Sequence, residues 1–274
     1  MTSASPTHWH SRVPWAVVLA ATFTCWTPAQ AADAPKPDFT GVWGFHVEPG
    51  SRAAPGGPPG GFNMKPLPFT PEGKRRSEEY KKLQGPDVAN PGAYCTDYGM
   101  PMLMESAGGY PIELIQKGDQ LTMIYEVEGE LRRVYLGKRG ISKEKRLPSR
   151  DGYSVGHWEG ATLVVETTDL TDGQDQIHPH SDQALIIERF SLVQDKAGTK
   201  IMSYVMTMTD PIYYSEPVTI EKKFSPTTDG YIMPYRCPDE FWTALLDARR
   251  EQVKAGKPAD ARMSDVLKVY EAKQ

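Results

Sequence analysis

The chain has 274 residues, 39% hydrophobic and 24% charged, which is enough apolar material for a sizeable core and too much for a disordered or collagen-like chain. Its 31 Lys and Arg stand against 35 Asp and Glu, a net charge of −4 with no basic tract, and this sets nucleic-acid recognition aside. Gly and Pro number 24 each; with many short Val, Ile, Tyr and Thr runs, that density of turns points to antiparallel β structure.

Arg12 precedes an apolar stretch from Val13 to Trp26, and Ala29-Gln30-Ala31 follows with the small-x-small pattern of a cleavage site. Residues 1–31 therefore read as a secretory signal peptide. No later stretch approaches a membrane-spanning length, so the mature chain is expected to be periplasmic or secreted. Of the three cysteines, Cys25 leaves with the leader. Cys95 and Cys237 then face an oxidising compartment, where a pair reads as a disulfide. Closing a loop of roughly 140 residues would contribute on the order of 4 to 5 kcal/mol.

After the leader, residues 38–44 read as a turn and a first strand, and residues 49–61 are a Pro/Gly-rich loop. Thr70-Pro71-Glu72 has the form of a helix start, Thr as N-cap and Pro at the first helical position, opening a short helix over 71–83. Residues 94–110 are irregular. A meander follows: strands at 112–116, 120–127 and 130–136 with turns at Lys117-Gly118-Asp119 and Glu128-Gly129. In its middle strand Leu121, Met123, Tyr125 and Val127 share one face, the period of two that a half-buried strand requires. Further strands are predicted at 152–158, 162–167, 184–193, 200–208, 218–224 and 231–236, with Glu159-Gly160 as a hairpin turn. About ten short strands must close or stack to hide their edges. The expected fold is all-β with peripheral helices: a closed antiparallel β-barrel, lipocalin-like, over 32–238, followed by a C-terminal helical extension over 239–274.

Several segments together resemble a large, mostly uncharacterised family of exported bacterial proteins. They are Asp38-Phe39-Thr40-Gly41-Val42-Trp43, Thr70-Pro71-Glu72-Gly73-Lys74, Trp158-Glu159-Gly160 with Thr162-Leu163-Val164-Val165, His180-Ser181-Asp182-Gln183-Ala184-Leu185, Glu188-Arg189-Phe190 and Asp210-Pro211. The resemblance runs from about Asp38 to Cys237 and implies a shared barrel and a shared site at His180. The chain departs from that pattern in the apolar face Met202, Tyr204, Met206, Met208 and in a longer tail.

Four histidines lie beyond the leader, His46, His157, His178 and His180. In an extended segment His178 and His180 point to one side and could share a metal with Asp182, but Pro179 disturbs that geometry. The reading preferred here makes His180 a general acid or base, because imidazole titrates near neutrality, with Asp182 or Glu188 orienting it and Arg189 or Arg133 holding substrate charge. The bland alternative has His180-Ser181-Asp182 capping a loop. Glu188 and Arg189 are adjacent in an apolar strand, so at most one points inward, and a buried charge needs a ligand or an ion-pair partner on a neighbouring strand such as Arg132 or Glu166. Tyr125, Tyr204 and Tyr213 offer hydroxyls to a ligand. The Met202, Tyr204, Met206, Met208 face needs cover, from a ligand or from a second subunit in a homodimer. The expected function is a lyase, dehydratase or isomerase without organic cofactor or metal, moving a proton on a small hydrophobic or aromatic molecule. A non-catalytic carrier of an apolar ligand is the alternative.

Overall fold

The computed structural model describes Met1 and residues 36–47, 66–83, 96–107, 109–137, 139–235, 237–262, 264 and 268. The leader, the loop over 49–61 and Cys95 of the expected disulfide lie outside the described residues. Contacts divide the chain into Met1–Ala32 and Asp33–Gln274, and every element below belongs to the second unit.

Nine strands form one closed barrel: β1 (Gly41–Phe45), β2 (Ile112–Lys117), β3 (Gln120–Tyr125), β4 (Leu131–Leu136), β5 (Tyr153–Glu159), β6 (Thr162–Thr168), β7 (Leu185–Gln194), β8 (Lys200–Thr209) and β9 (Val218–Pro226). Each pairs with its sequence neighbour, and β9 returns to β1 through Trp43↔Pro226 and Phe45↔Phe224. Tight hairpins set the register. Lys117 pairs with Gln120 and Glu159 with Thr162, and Gly118 and Gly160 take the positive φ, 58° and 60°, that these two-residue turns need.

Two details differ from the sequence reading. The β4–β5 pair is parallel, Val134↔Ser154 to Leu136↔Gly156, because the connection after Leu136 carries the chain back to the end where β4 began. Residues 231–235 form no strand; once β9 is paired with both β8 and β1, no open edge is left for a tenth.

Period two sorts the side chains. Leu121, Met123 and Tyr125 of β3, Ile186, Glu188 and Phe190 of β7, and Met202, Tyr204, Met206 and Met208 of β8 are all buried at 1% exposure or less. They touch no water-sized space, so the lumen at these positions is filled by protein. The Met/Tyr face of β8 is therefore covered by the barrel's own core and needs neither ligand nor second subunit to hide it. Phe39 closes one end, stacking on Trp158 with ring centroids 6.0 Å apart and meeting Phe190 edge-on, while Trp43 Nε1 donates to the Phe39 carbonyl.

Among the described residues there are three α-helices. In α1 (Pro71–Leu83) the Thr70 hydroxyl accepts from Gly73 N–H at 2.9 Å and donates to Ile212 O, a cap and a tether in one residue. Gly73 is required there, since a Cβ would stand 2.3 Å from Tyr213 O. The short α2 (Met102–Ser106) lies in the stretch read as irregular. The tail helix α3 (Cys237–Lys254) begins at the second cysteine of the expected pair, and most of the expected extension beyond residue 262 lies outside the described residues. No described helix is long and apolar enough to cross a membrane.

Candidate functional site

Glu188 is the inward member of the Glu188–Arg189 pair, at 0% exposure, and its partner is Arg132. The Arg132 guanidinium donates to both carboxylate oxygens, and its remaining N–H groups reach Ser154 Oγ at 3.0 and 3.1 Å and Thr167 Oγ1 at 2.9 Å. Tyr204 donates its hydroxyl to Glu188 Oε1 at 3.0 Å. Burial and then the Glu188 charge push the Tyr204 phenol well above its ordinary pKa, so this proton stays in place. Tyr125 stands at the edge of the group, its hydroxyl 3.1 and 3.3 Å from the sulfurs of Met104 and Met123. Every charge here has its partner, so the arrangement is a closed polar core with no valence offered to a substrate.

The remaining residues expected at a His180 site are scattered. His180 is 1% exposed, with Nδ1 3.0 Å from Ser181 O and Nε2 2.9 Å from Met100 O, so both ring nitrogens are taken by backbone carbonyls. Ser181 is pinned in turn by Asp210, which accepts from its N–H and its hydroxyl and from the N–H groups of Ile212 and Tyr213. The His180-Ser181 and Asp210-Pro211 segments thus clamp two loops together, the capping alternative. Asp182 is exposed. Arg189 lies outside the barrel and pairs with Glu159 at 2.6 Å, and Arg133 is exposed on the outer face of β4. Tyr213 is buried against α1, with Arg76 over its ring at 5.9 Å. His178 and His180 hold different partners, Glu105 and the Met100 carbonyl, and among the described residues no three His, Cys, Asp or Glu converge on one point.

What the structure does assemble is a group around Glu105, on α2. His178 Nδ1–H donates to Glu105 Oε1. Glu105 is 3% exposed, and its second oxygen is buried without a partner. The His178 side chain is 13% exposed, and among the described residues no group bonds its Nε2. Lys222 reaches the same helix from β9. Its ammonium donates to the carbonyls of Glu105 and Ala107 and lies 4.9 Å over the Phe45 ring. Burial pulls Lys222 down to about 8, with the Glu105 charge opposing.

A buried carboxylate that orients an imidazole while the far nitrogen stays open is the arrangement a positioned base needs. Glu105 was hidden in a stretch without periodicity. Lys222 carried a signal: it shares the inward period of Val218, Ile220 and Phe224, where a charge is out of place. Compared with protein-family models, characterised proteins and solved structures, the chain matches none.

Proposed function

We propose that the protein is an exported proton-transfer enzyme, a lyase, dehydratase or isomerase of small hydrophobic or aromatic molecules, and that its base is His178 rather than His180. One observation carries this reading: Nδ1 of His178 is tied to the buried Glu105 carboxylate, which leaves Nε2 as the proton acceptor. Nε2 takes a proton from an activated C–H; the electron pair left behind expels a leaving group in an elimination, or is reprotonated at the neighbouring carbon in an isomerisation. Lys222, still largely protonated at neutral pH, supplies positive charge beside Glu105 for the anionic intermediate. Protein export rests on the leader motif, and the family resemblance on the quoted segments alone. The carrier alternative is weaker, because the lumen positions that would hold an apolar ligand are filled.

The test uses 5-nitrobenzisoxazole, a small aromatic whose ring opens when a base removes one C–H proton. The protein should open it faster than free imidazole at equal concentration, and His178→Gln should lower the rate by roughly 10²-fold or more. His180→Gln, in a properly folded variant, should leave the chemistry in place. Equal rates in wild type and His178→Gln would refute the assignment.

A further inference from the structure

The connection from β4 to β5, residues 137–152, carries six Lys or Arg against two acids in a protein of net charge −4, and the fold fastens it to the outer face of the barrel. Ile141 N–H donates to the Tyr153 hydroxyl at 2.7 Å. The Arg146 guanidinium lies 4.2 Å over the Tyr153 ring, donates to the Ile141 carbonyl and pairs with Asp169. Tyr153 stacks on Tyr135, and Arg139 lies over Tyr135 while pairing with Asp119 at 2.8 Å. Two arginines and two acids are spent in this fastening.

What is left over faces outward. Lys143–Lys145 form one 3-10 turn with Glu144 between the lysines; both lysines are exposed, and neither makes a salt bridge among the described residues. Lys117 is likewise exposed and unbridged. It belongs to the outer row Lys117↔Gln120↔Tyr135 that crosses β2, β3 and β4 to the tyrosine under Arg139, so the surface is continuous. Beside that row a groove of about 440 Å³ is lined by Ile115, Lys117, Asp119, Gln120, Thr122 and Arg139. Apolar side chains flank the lysine turn, Ile141 at 48% exposure before it and Leu147 at 86% after it. A lone exposed leucine is ordinary; two apolar tips around a pair of unbridged lysines are the mixture that an interfacial segment uses.

We propose that this face docks the protein on the surface of an anionic phospholipid bilayer. Lys143 and Lys145 meet the headgroup phosphates, Leu147 and Ile141 enter the boundary between headgroups and acyl chains, and one headgroup sits in the groove between Lys117 and Arg139. Charge complementarity selects the sign of the partner, because three unbridged lysines stand against the single acid Glu144. The apolar tips select a bilayer over a soluble acidic macromolecule, which would leave Leu147 in water. Each lysine near an anionic membrane surface contributes roughly a fivefold gain in affinity, and burial of the two tips adds to it.

The experiment sediments the exported chain with vesicles of phosphatidylglycerol and phosphatidylcholine in equal parts, and with vesicles of phosphatidylcholine alone. Binding to the mixed vesicles only is expected, with release when salt is raised to roughly 0.5 M. The double variant Lys143→Gln/Lys145→Gln should bind the mixed vesicles roughly tenfold or more weakly, and Leu147→Asn several-fold more weakly. Lys81→Gln/Lys82→Gln, which removes the same charge from exposed positions on α1, should bind as wild type does. All these positions are exposed, so folding does not depend on them. Absence of binding to the mixed vesicles, equal binding to phosphatidylcholine alone, or an equal loss in the α1 variant would each overturn the proposal. Unchanged binding in Leu147→Asn, together with equally tight binding of soluble poly-glutamate, would overturn it in favour of an acidic macromolecule.

Discussion

Replacing Glu188 by leucine separates a structural role for the buried ion pair from a catalytic one. The substitution leaves the Arg132 guanidinium, 2% exposed, with Ser154 and Thr167 as its remaining partners and takes the acceptor from the Tyr204 hydroxyl. Breaking a buried pair by removing one member costs about 3–5 kcal/mol, and an orphaned buried hydroxyl adds roughly 1–3 kcal/mol, so the loss should lie at or above the upper end of the first range. In thermal unfolding that corresponds to a fall of very roughly 10–20 °C. Arg132→Met in the same background removes the stranded charge. Ser154 and Thr167 still bond each other at 2.9 Å, so the double variant should recover to within about 2 kcal/mol of wild type. Urea unfolding followed by tryptophan fluorescence measures all four corners of the cycle. If Glu188→Leu loses less than about 1 kcal/mol, or if the two substitutions simply add, the pair is not the closed network described. Ring-opening activity should survive in the double variant, since Arg132 and Glu188 offer nothing to a substrate.

Asp210→Ala removes the acceptor of four hydrogen bonds that hold Ser181, Ile212 and Tyr213, and should destabilise the protein by roughly 2–4 kcal/mol; a shift below about 0.5 kcal/mol would deny the loop clamp. The Glu130 carboxyl, raised from 4.5 to about 8 by burial and then by Asp151 and Asp97, makes the folded state hold a proton that the unfolded chain has released. Its stabilising contribution is complete below about 4.5 and disappears as pH rises through about 8, a decline of roughly 2–4 kcal/mol across that window. Unfolding free energy measured against pH should show this decline in wild type and not in Glu130→Gln, and parallel curves would contradict the assignment.

The positions of most strands were legible because they rest on local patterns. Alternation along Leu121, Met123 and Tyr125, glycine in the turns at Gly118 and Gly160, and the Thr70-Pro71 helix start each need only a few neighbouring residues. The same alternation shows that Glu188 and Arg189 face opposite ways, and it would have marked Lys222 as an inward charge. It does not show which partner an inward charge meets. Glu188 finds Arg132, whose neighbour Arg133 points outward, because closure of the barrel brings β4 and β7 across one lumen.

The choice between the two histidines was likewise tertiary. His178 and His180 share one short segment, and what separates them is the company that other parts of the chain supply: the Glu105 side chain for one, the Met100 carbonyl for the other. The helix carrying Glu105 has five residues, too few to leave a periodic trace or to be stable alone; packing against the barrel makes it helical. The sequence by itself determined the alternation and the turns, because each depends on neighbours along the chain. The parallel β4–β5 pair, the missing tenth strand and the identity of the open imidazole were decided only when folding brought together residues that are not neighbours along the chain, Val134 with Ser154, Trp43 with Pro226 and Glu105 with His178, and no local pattern encodes that geometry.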